Sequence, residues 1–343
     1  MNHLNTLNIS YITLNVELEK KINFFLEEWK SDGITMTVQT SGSTGTPKIF
    51  QIEKEKMRNS AQMTCDFLHL EKGNTALLCL PLEYISGKMM MVRSIIRELN
   101  LMVTEPTLTP LKNLKQRIDF CAMTPLQVEN SLDKIHLVKK LIIGGAQVSE
   151  SLREKIKQHL STHLHCKVYE TYGMSETLSH IALREIFPKN EVYFEPLHGV
   201  NITQDERGCL IIEAPQLNPQ KLITNDIVEI NEQGSFKFVG RADYIINSGG
   251  AKISPESLEK ELKKILANEM CFIGVDDEVL GQKLVLVIEE KNEKRHQEIE
   301  KMVFNFPFQK SFHKPKNIVF IDEIPRTPNG KVNRRVLGGL LEP

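Results

Sequence analysis

The 343-residue sequence carries almost no excess of either charge: 43 Lys and Arg stand against 44 Asp and Glu, with a pI near 6.8. That balance gives no global electrostatic reason to expect nucleic acid or an anionic membrane as a partner. No apolar run approaches the length needed to cross a bilayer. The N-terminal MNHLNTLNIS has no basic segment leading into an apolar one, so no secretory signal is read there and a cytoplasmic location is the default expectation. The six cysteines, Cys65, Cys79, Cys121, Cys166, Cys209 and Cys271, include no CxxC pair, which argues against a disulfide framework and a thiolate zinc cluster. Cys79, Cys121 and Cys271 lie inside apolar runs and read as small core residues. His159, His163, His165 and Cys166 crowd together, but at no standard ligand spacing. Internal repeats and low-complexity tracts are missing as well.

What is present is the make-up of a globular chain, 41% hydrophobic and 25% charged, long enough for two domains. Leu18, Ile22, Phe25 and Trp29 predict an amphipathic helix over 16–29, and Met57, Ala61 and Leu68 another over 53–68. From residue 76, short apolar strands alternate with helices over 85–99 and 150–160, which indicates βαβ units and a largely parallel sheet. After Gly199 the pattern changes to closely spaced strands at 209–214, 223–230 and 235–239, an antiparallel unit. Past Gly240, a helix opening at Pro255, strands at 271–275, 284–289 and 318–321, and a charged helix at 297–304 suggest a small α+β domain of about 100 residues.

Thr40-Ser41-Gly42-Ser43-Thr44-Gly45-Thr46-Pro47-Lys48 follows the alternating segment Ile34, Met36, Val38. Its glycines, hydroxyls and terminal lysine can form a loop whose backbone N–H groups converge on phosphate, although the Walker order is absent and the same composition suits a flexible loop. Five further stretches carry chemistry. Gly144-Gly145-Ala146 ends a strand of the parallel sheet, where such sheets bind ligands, although a simple turn into a helix explains it equally. Tyr172-Gly173-Met174-Ser175-Glu176 offers a hydroxyl and a hard carboxylate oxygen of the kind Mg²⁺ prefers. Thr224-Asn225-Asp226 and Gly240-Arg241-Ala242-Asp243 through Ile253 follow, the latter ahead of Pro255. The last, Pro325-Arg326-Thr327-Pro328-Asn329-Gly330-Lys331-Val332-Asn333-Arg334-Arg335, sets Lys331 on an exposed loop.

Taken in order from Thr40 to Arg335, these five motifs and the Gly-Gly turn resemble the adenylate-forming enzymes: acyl-CoA synthetases, luciferases and peptide-synthetase adenylation domains. The chain departs from the family pattern at Ser175, where threonine is usual, at Asn225, where glycine is usual, and at Tyr244, where an acid is frequent. Only 39 residues precede the phosphate loop, so a reduced first subdomain is expected. The resemblance implies an α/β fold: an AMP-binding domain over 1–241 with mainly parallel sheets and a small antiparallel β unit, then a small mobile α+β domain over 242–343. It implies that Thr40, Ser41, Gly42, Ser43, Thr44, Gly45 and Lys48 hold phosphates, that Gly144, Gly145 and Ala146 lie along adenine, and that Tyr172 and Gly173 pack on it. Ser175 would meet the phosphates, Glu176 would coordinate Mg²⁺, Asp226 and Arg241 would grip ribose or phosphate, Asp243 would be the hinge, and Lys331 the catalytic lysine. Tyr84, Ser86, Lys88, Ser179 and His180 would line the acid pocket, and Glu83 would oppose an anionic substrate if it faced inward. ATP, Mg²⁺, CoA and a small carboxylic acid are the implied partners. A carrier-dependent adenylation domain and a non-catalytic nucleotide-binding module are the alternatives; no carrier domain is read after Lys331, and retention of Glu176, Asp226, Arg241 and Lys331 argues for turnover.

Overall fold

The structure is a computed structural model and describes residues 7–13, 15–39, 49–326 and 332–341. The chain begins with β1 (Ile9–Tyr11), α1 (Val16–Lys30) and the antiparallel hairpin β2 (Thr35–Gln39) and β3 (Ile49–Glu53). α1 is capped by Asn15, whose side chain accepts from the backbone N–H of Glu17 and Leu18. It buries the expected stripe of Leu18, Ile22, Phe25 and Trp29, worth about 1.5–3 kcal/mol for each large apolar side chain. Ile34, expected on the buried face of the next strand, is instead exposed, while Met36 and Val38 are buried.

The alternating region comprises α2 (Lys54–Phe67), β4 (Thr75–Leu78), α3 (Ile85–Ile96), β5 (Asn100–Val103), β6 (Ile118–Met123), α4 (Pro125–Glu129), β7 (Val138–Ile143), α5 (Glu150–Leu160) and β8 (Lys167–Gly173). It continues into β9 (His180–Phe187) and β10 (Glu195–Pro196). These strands form one eight-stranded sheet in the order β1-β5-β4-β6-β7-β8-β9-β10, parallel as far as β8 and antiparallel thereafter. Successive residues of a strand point to opposite faces, and both faces are covered. Ala76, Leu78, Phe120 and Ile142 pack toward α1, α2 and α3, whereas Leu77, Cys121, Leu141 and Ile143 pack toward α5. The chain passes from β4 to β5 on one side and then to β6 on the other, so the strand order reverses at β4. The crevice beyond the carboxyl ends of β4, β6, β7 and β8 is where such a sheet takes its ligand.

A second, antiparallel sheet of β11 (Asn201–Gln204), β12 (Cys209–Ala214), β13 (Asn218–Ile230) and β14 (Phe236–Arg241) follows. The remaining elements are β15 (Ile246–Ser248), β16 (Ala251–Ile253), α6 (Pro255–Leu262), β17 (Met270–Asp277), β18 (Gly281–Glu289), α7 (His296–Asn305), β19 (Asn317–Ile321) and α8 (Arg334–Gly339). They build a five-stranded sheet with its own apolar clusters, one around Phe272, Leu286, Ile299 and Val303 and one around Cys271, Val287, Ile324 and Leu337. A separate core marks a separate folding unit. All six cysteines are buried and unbridged. The rings of His136, His163 and His165 touch, but no group of three metal-capable side chains occurs among the described residues. No described helix is long and apolar enough to cross a membrane.

Candidate active site

Two glycine-containing turns leave adjacent parallel strands and define the floor of the crevice. At the end of β7, Gly145 has φ +86°, and a Cβ on Gly144 would lie 2.7 Å from Thr171 Oγ1. At the end of β8, a Cβ on Gly173 would come within 2.5 Å of the backbone of Ser179 and His180, so only glycine fits. Glu170, buried in β8, ties the two turns together. Its carboxylate accepts from Val148 N–H at 3.0 Å, from Arg153 at 2.5 Å and from Arg184 at 2.7 Å. The chain then makes a short 3₁₀ turn over Ser175–Thr177 and reverses at Leu178, with φ +66° and ψ −47°. Ser179 N–H donates to Thr177 O at 2.7 Å, closing a γ-turn of the rare, strained hand. A branched residue held there costs about 1–3 kcal/mol, and the turn delivers Ser179 and His180 back against Gly173. Ser175 and Glu176 stay exposed at its tip. The Glu176 carboxylate has no partner among the described residues, and a lone hard-oxygen donor of this kind fits the single protein ligand Mg²⁺ commonly takes beside phosphate.

Tyr172 reaches from the large sheet to the second one. Its hydroxyl donates to Asp226 Oδ2 at 2.5 Å, and its ring packs edge-on against Phe236 with centroids 4.9 Å apart. Burial, reinforced by the Asp226 charge, raises its phenol far above the usual range. β13 and β14 place Asp226 opposite Arg241, which donates to Asp226 Oδ1 at 3.0 Å. The other edge of the Arg241 guanidinium forks onto Asp243, with both bonds at 2.9 Å. Hydrogen bonding to Asp243 holds this guanidinium protonated and holds the Asp243 carboxyl below its ordinary value. Tyr172, Asp226, Arg241 and Asp243, read from three separate motifs, are therefore one connected network.

The acid-pocket residues divide into two groups. Tyr84 caps α3, and Ser86 is exposed in its first turn. Lys88 turns to α1 instead, 3.9 Å from Glu28 and over the Phe25 ring, and burial lowers its ammonium. Glu83 also faces α1, paired with Lys21 at 2.7 Å, and that bond lowers its carboxyl. The cation beside Ser179 is one the sequence reading omitted, Arg93 of α3. It is 2% exposed and donates to Ser179 Oγ at 3.1 Å; its Nε finds no partner, and no carboxylate pairs with it among the described residues. Its signal in the sequence was a lone arginine inside the apolar run MMMVRSII.

His180 lies buried beside it. Thr64 Oγ1 spends its only hydrogen on Ser60 O, so it must accept from His180 Nε2–H at 3.0 Å, which fixes the tautomer. Burial first, then Arg93, pushes the imidazole well below 6.5. Below about pH 6.5 the unfolded chain therefore takes up a proton that the folded ring refuses, and stability falls as acid is added, by at most about 1.4 kcal/mol per pH unit. Urea titrations between pH 7 and 5 should show His180→Gln with a flatter dependence than the parent; identical slopes would leave this ring no part in the acid response.

Family comparison agrees with this geometry. The AMP-binding enzyme family matches residues 14–203, and the AMP-binding enzyme C-terminal domain matches residues 251–331. The chain belongs to the AMP-binding enzymes, the adenylate-forming acid–CoA ligase family. The 2-succinylbenzoate–CoA ligase of Listeria monocytogenes is 27% identical over 96% of this chain and 74% of its own length. The Staphylococcus aureus ligase of the same name is 25% identical, over 97% and 73%. Among solved structures, an acyl-CoA synthetase (AMP-forming)/AMP-acid ligase II-like protein from Dyadobacter fermentans is 35% identical, covers 92% of both chains and superposes with a TM-score of 0.63. The o-succinylbenzoate coenzyme A synthetase (MenE) from Bacillus subtilis, in complex with ATP and magnesium ion, shares the fold at a TM-score of 0.71, with 19% identity over 87% of this chain and 68% of its own.

Proposed function

We propose that this chain joins 2-succinylbenzoate to CoA at the expense of ATP, a cytoplasmic step of menaquinone biosynthesis. The observation that carries the substrate is Arg93. A buried guanidinium with no carboxylate partner among the described residues, beside Ser179 and His180, is costly unless something anionic neutralises it. 2-Succinylbenzoate has one carboxylate to activate and a second on its ring. Arg93 and Ser179 supply the anchor for that second group, with the neutral His180 beside them. Pairing of Glu83 with Lys21 removes the acid that would repel a dianion, and so also removes the feature that would suit an amino-acid ammonium.

In the first half-reaction the free carboxylate attacks the α-phosphorus of ATP and pyrophosphate leaves, giving the acyl-adenylate. Tyr172 and the Gly144–Ala146 turn flank the base, and Asp226 and Arg241 take the ribose. The Thr40–Lys48 loop takes the phosphates and Lys331 bridges carboxylate and α-phosphate; both lie outside the described residues. Mg²⁺, when bound with ATP at Glu176, neutralises charge on the phosphates. Positioning and charge stabilisation are the terms this site offers a pentacovalent phosphorus. In the second half the CoA thiol adds to the acyl carbon, its proton is lost and AMP departs. A body over 1–241 and a small domain over 242–343, turning at Asp243, give the two halves different surroundings. The separate apolar clusters on either side of the 236–246 stretch support that division.

ATP–pyrophosphate exchange with 2-succinylbenzoate, benzoate, a medium-chain fatty acid and a set of amino acids tests the assignment. Strong preference for the aromatic dicarboxylate is expected. Exchange with an amino acid and none with the dicarboxylate would overturn it, and no exchange with any acid would favour a binding module.

A further inference from the structure

One contact crosses the proposed turning point through main chain rather than through the side chains assigned to the nucleotide. Glu256, in the first turn of α6, is half-buried and accepts from the backbone N–H of Arg241, the last residue of β14, at 3.0 Å. The approach depends on the preceding glycine: a Cβ on Gly240 would lie 2.6 Å from the same carboxylate oxygen and 2.8 Å from Ser254 Oγ. The residue whose main chain is gripped is also the one whose side chain spans Asp226 and Asp243. Asp243 lies between the two partners in sequence, so a rotation there carries Glu256 away from Arg241. The bond therefore belongs to one orientation of the small domain. Lys260 also pairs with Glu150 across the two bodies at 3.4 Å, but both side chains are exposed and the pair contributes little.

We propose that Glu256 is a positioning residue that docks α6 on β14 in one of the two orientations and so sets the balance between the half-reactions. This rests on the two-half-reaction reading above. Taking the carboxylate from water raises its pKa, an effect opposed by the backbone bond and the nearby Arg334 and increased by Glu259. Docking uses the backbone N–H of Arg241, whereas its guanidinium bonds to Asp226 and Asp243, which separates the two contacts.

Two substitutions in the full chain test this. Glu256→Ala removes the acceptor; Glu256→Gln keeps an oxygen for the same N–H. Pyrophosphate exchange reports the first half, and conversion of supplied acyl-adenylate with CoA to thioester reports the second. In Glu256→Ala the ratio of the two rates should change by about tenfold, the effect of losing one hydrogen bond to a charged group, with Glu256→Gln, which keeps a neutral acceptor, between Glu256→Ala and the parent. Trypsin should also cut the segment between Arg241 and Lys252 faster in Glu256→Ala than in Glu256→Gln, with urea midpoints unchanged. Equal changes in both half-reactions, or equal cleavage of all three proteins, would overturn the proposal. If no acid supports exchange in the parent, the reaction reading fails, and the cleavage comparison alone decides the role of Glu256.

Discussion

Lys331→Ala is expected to abolish acyl-adenylate formation, lowering pyrophosphate exchange by on the order of 10²-fold or more, while supplied acyl-adenylate is still converted to thioester. The asymmetry follows from where charge develops. In the first half a carboxylate adds to an already anionic phosphate, and an ammonium bridging the two gains most at the transition state. In the second half no new charge forms on phosphorus until AMP leaves. Lys331 lies outside the described residues, whereas the residues flanking 327–331 are placed. Arg326 and Val332 are bridged antiparallel, and Arg334 is fixed by Glu259 at 2.7 Å and Phe272 O at 2.7 Å. Exchange at near the parental rate in Lys331→Ala would remove this residue from the mechanism.

The second large effect is expected at Arg93. Arg93→Met keeps much of the volume and removes the charge. Exchange with 2-succinylbenzoate should fall by about 30-fold or more, the result of leaving a buried carboxylate without its cation, and exchange with benzoate should change little. Stability should move the other way. A buried guanidinium without a carboxylate partner among the described residues stabilises nothing by itself, so the methionine variant is expected to unfold at an equal or higher urea concentration. An arginine kept only for structure would show the reverse: lower stability and parallel losses with both acids. Arg93→Lys, which retains the charge without the planar fork, should fall between the two.

The parallel sheet was legible because its strands are short apolar runs and its helices carry clear stripes. The ranges 118–123, 150–160 and 209–214 appear as expected, at Ile118–Met123, Glu150–Leu160 and Cys209–Ala214. β9 was not read as a strand, although it lies buried in the large sheet. Its sequence, HIALREIF, contains Arg184 and Glu185, and charges inside a buried strand obscure the pattern until their partners are known. Arg184 is neutralised by Glu170 and lies over the Phe194 ring, contacts that only the fold brings together. The helix opening at Pro255 runs to Leu262, and the short strands β15 and β16 are too brief to leave a periodic trace.

For the site, motif wording located Tyr172, Asp226, Arg241 and Asp243, but not the fact that they form one chain of hydrogen bonds. The resemblance puts Lys88 in the pocket along the Tyr84–Lys88 stretch, and Glu83 is an acid that would oppose an anionic substrate if it faced inward. α1 captures both, through Lys21 and Glu28, and a helix so distant in sequence could not have been matched to them in advance. Arg93 and Glu256 share a different obstacle. Each is a charged residue whose role depends on burial, and a charge on an amphipathic or exposed helix is ordinarily solvated.

The most direct test of the central claim is product identification. The protein is incubated with 2-succinylbenzoate, Mg·ATP and CoA, and AMP, pyrophosphate and thioester are quantified together. One AMP and one pyrophosphate per 2-succinylbenzoyl-CoA formed, with no AMP released when the acid is omitted, is the predicted result. Acyl-adenylate that accumulates without passing to CoA, or turnover that yields ADP and phosphate, would contradict it.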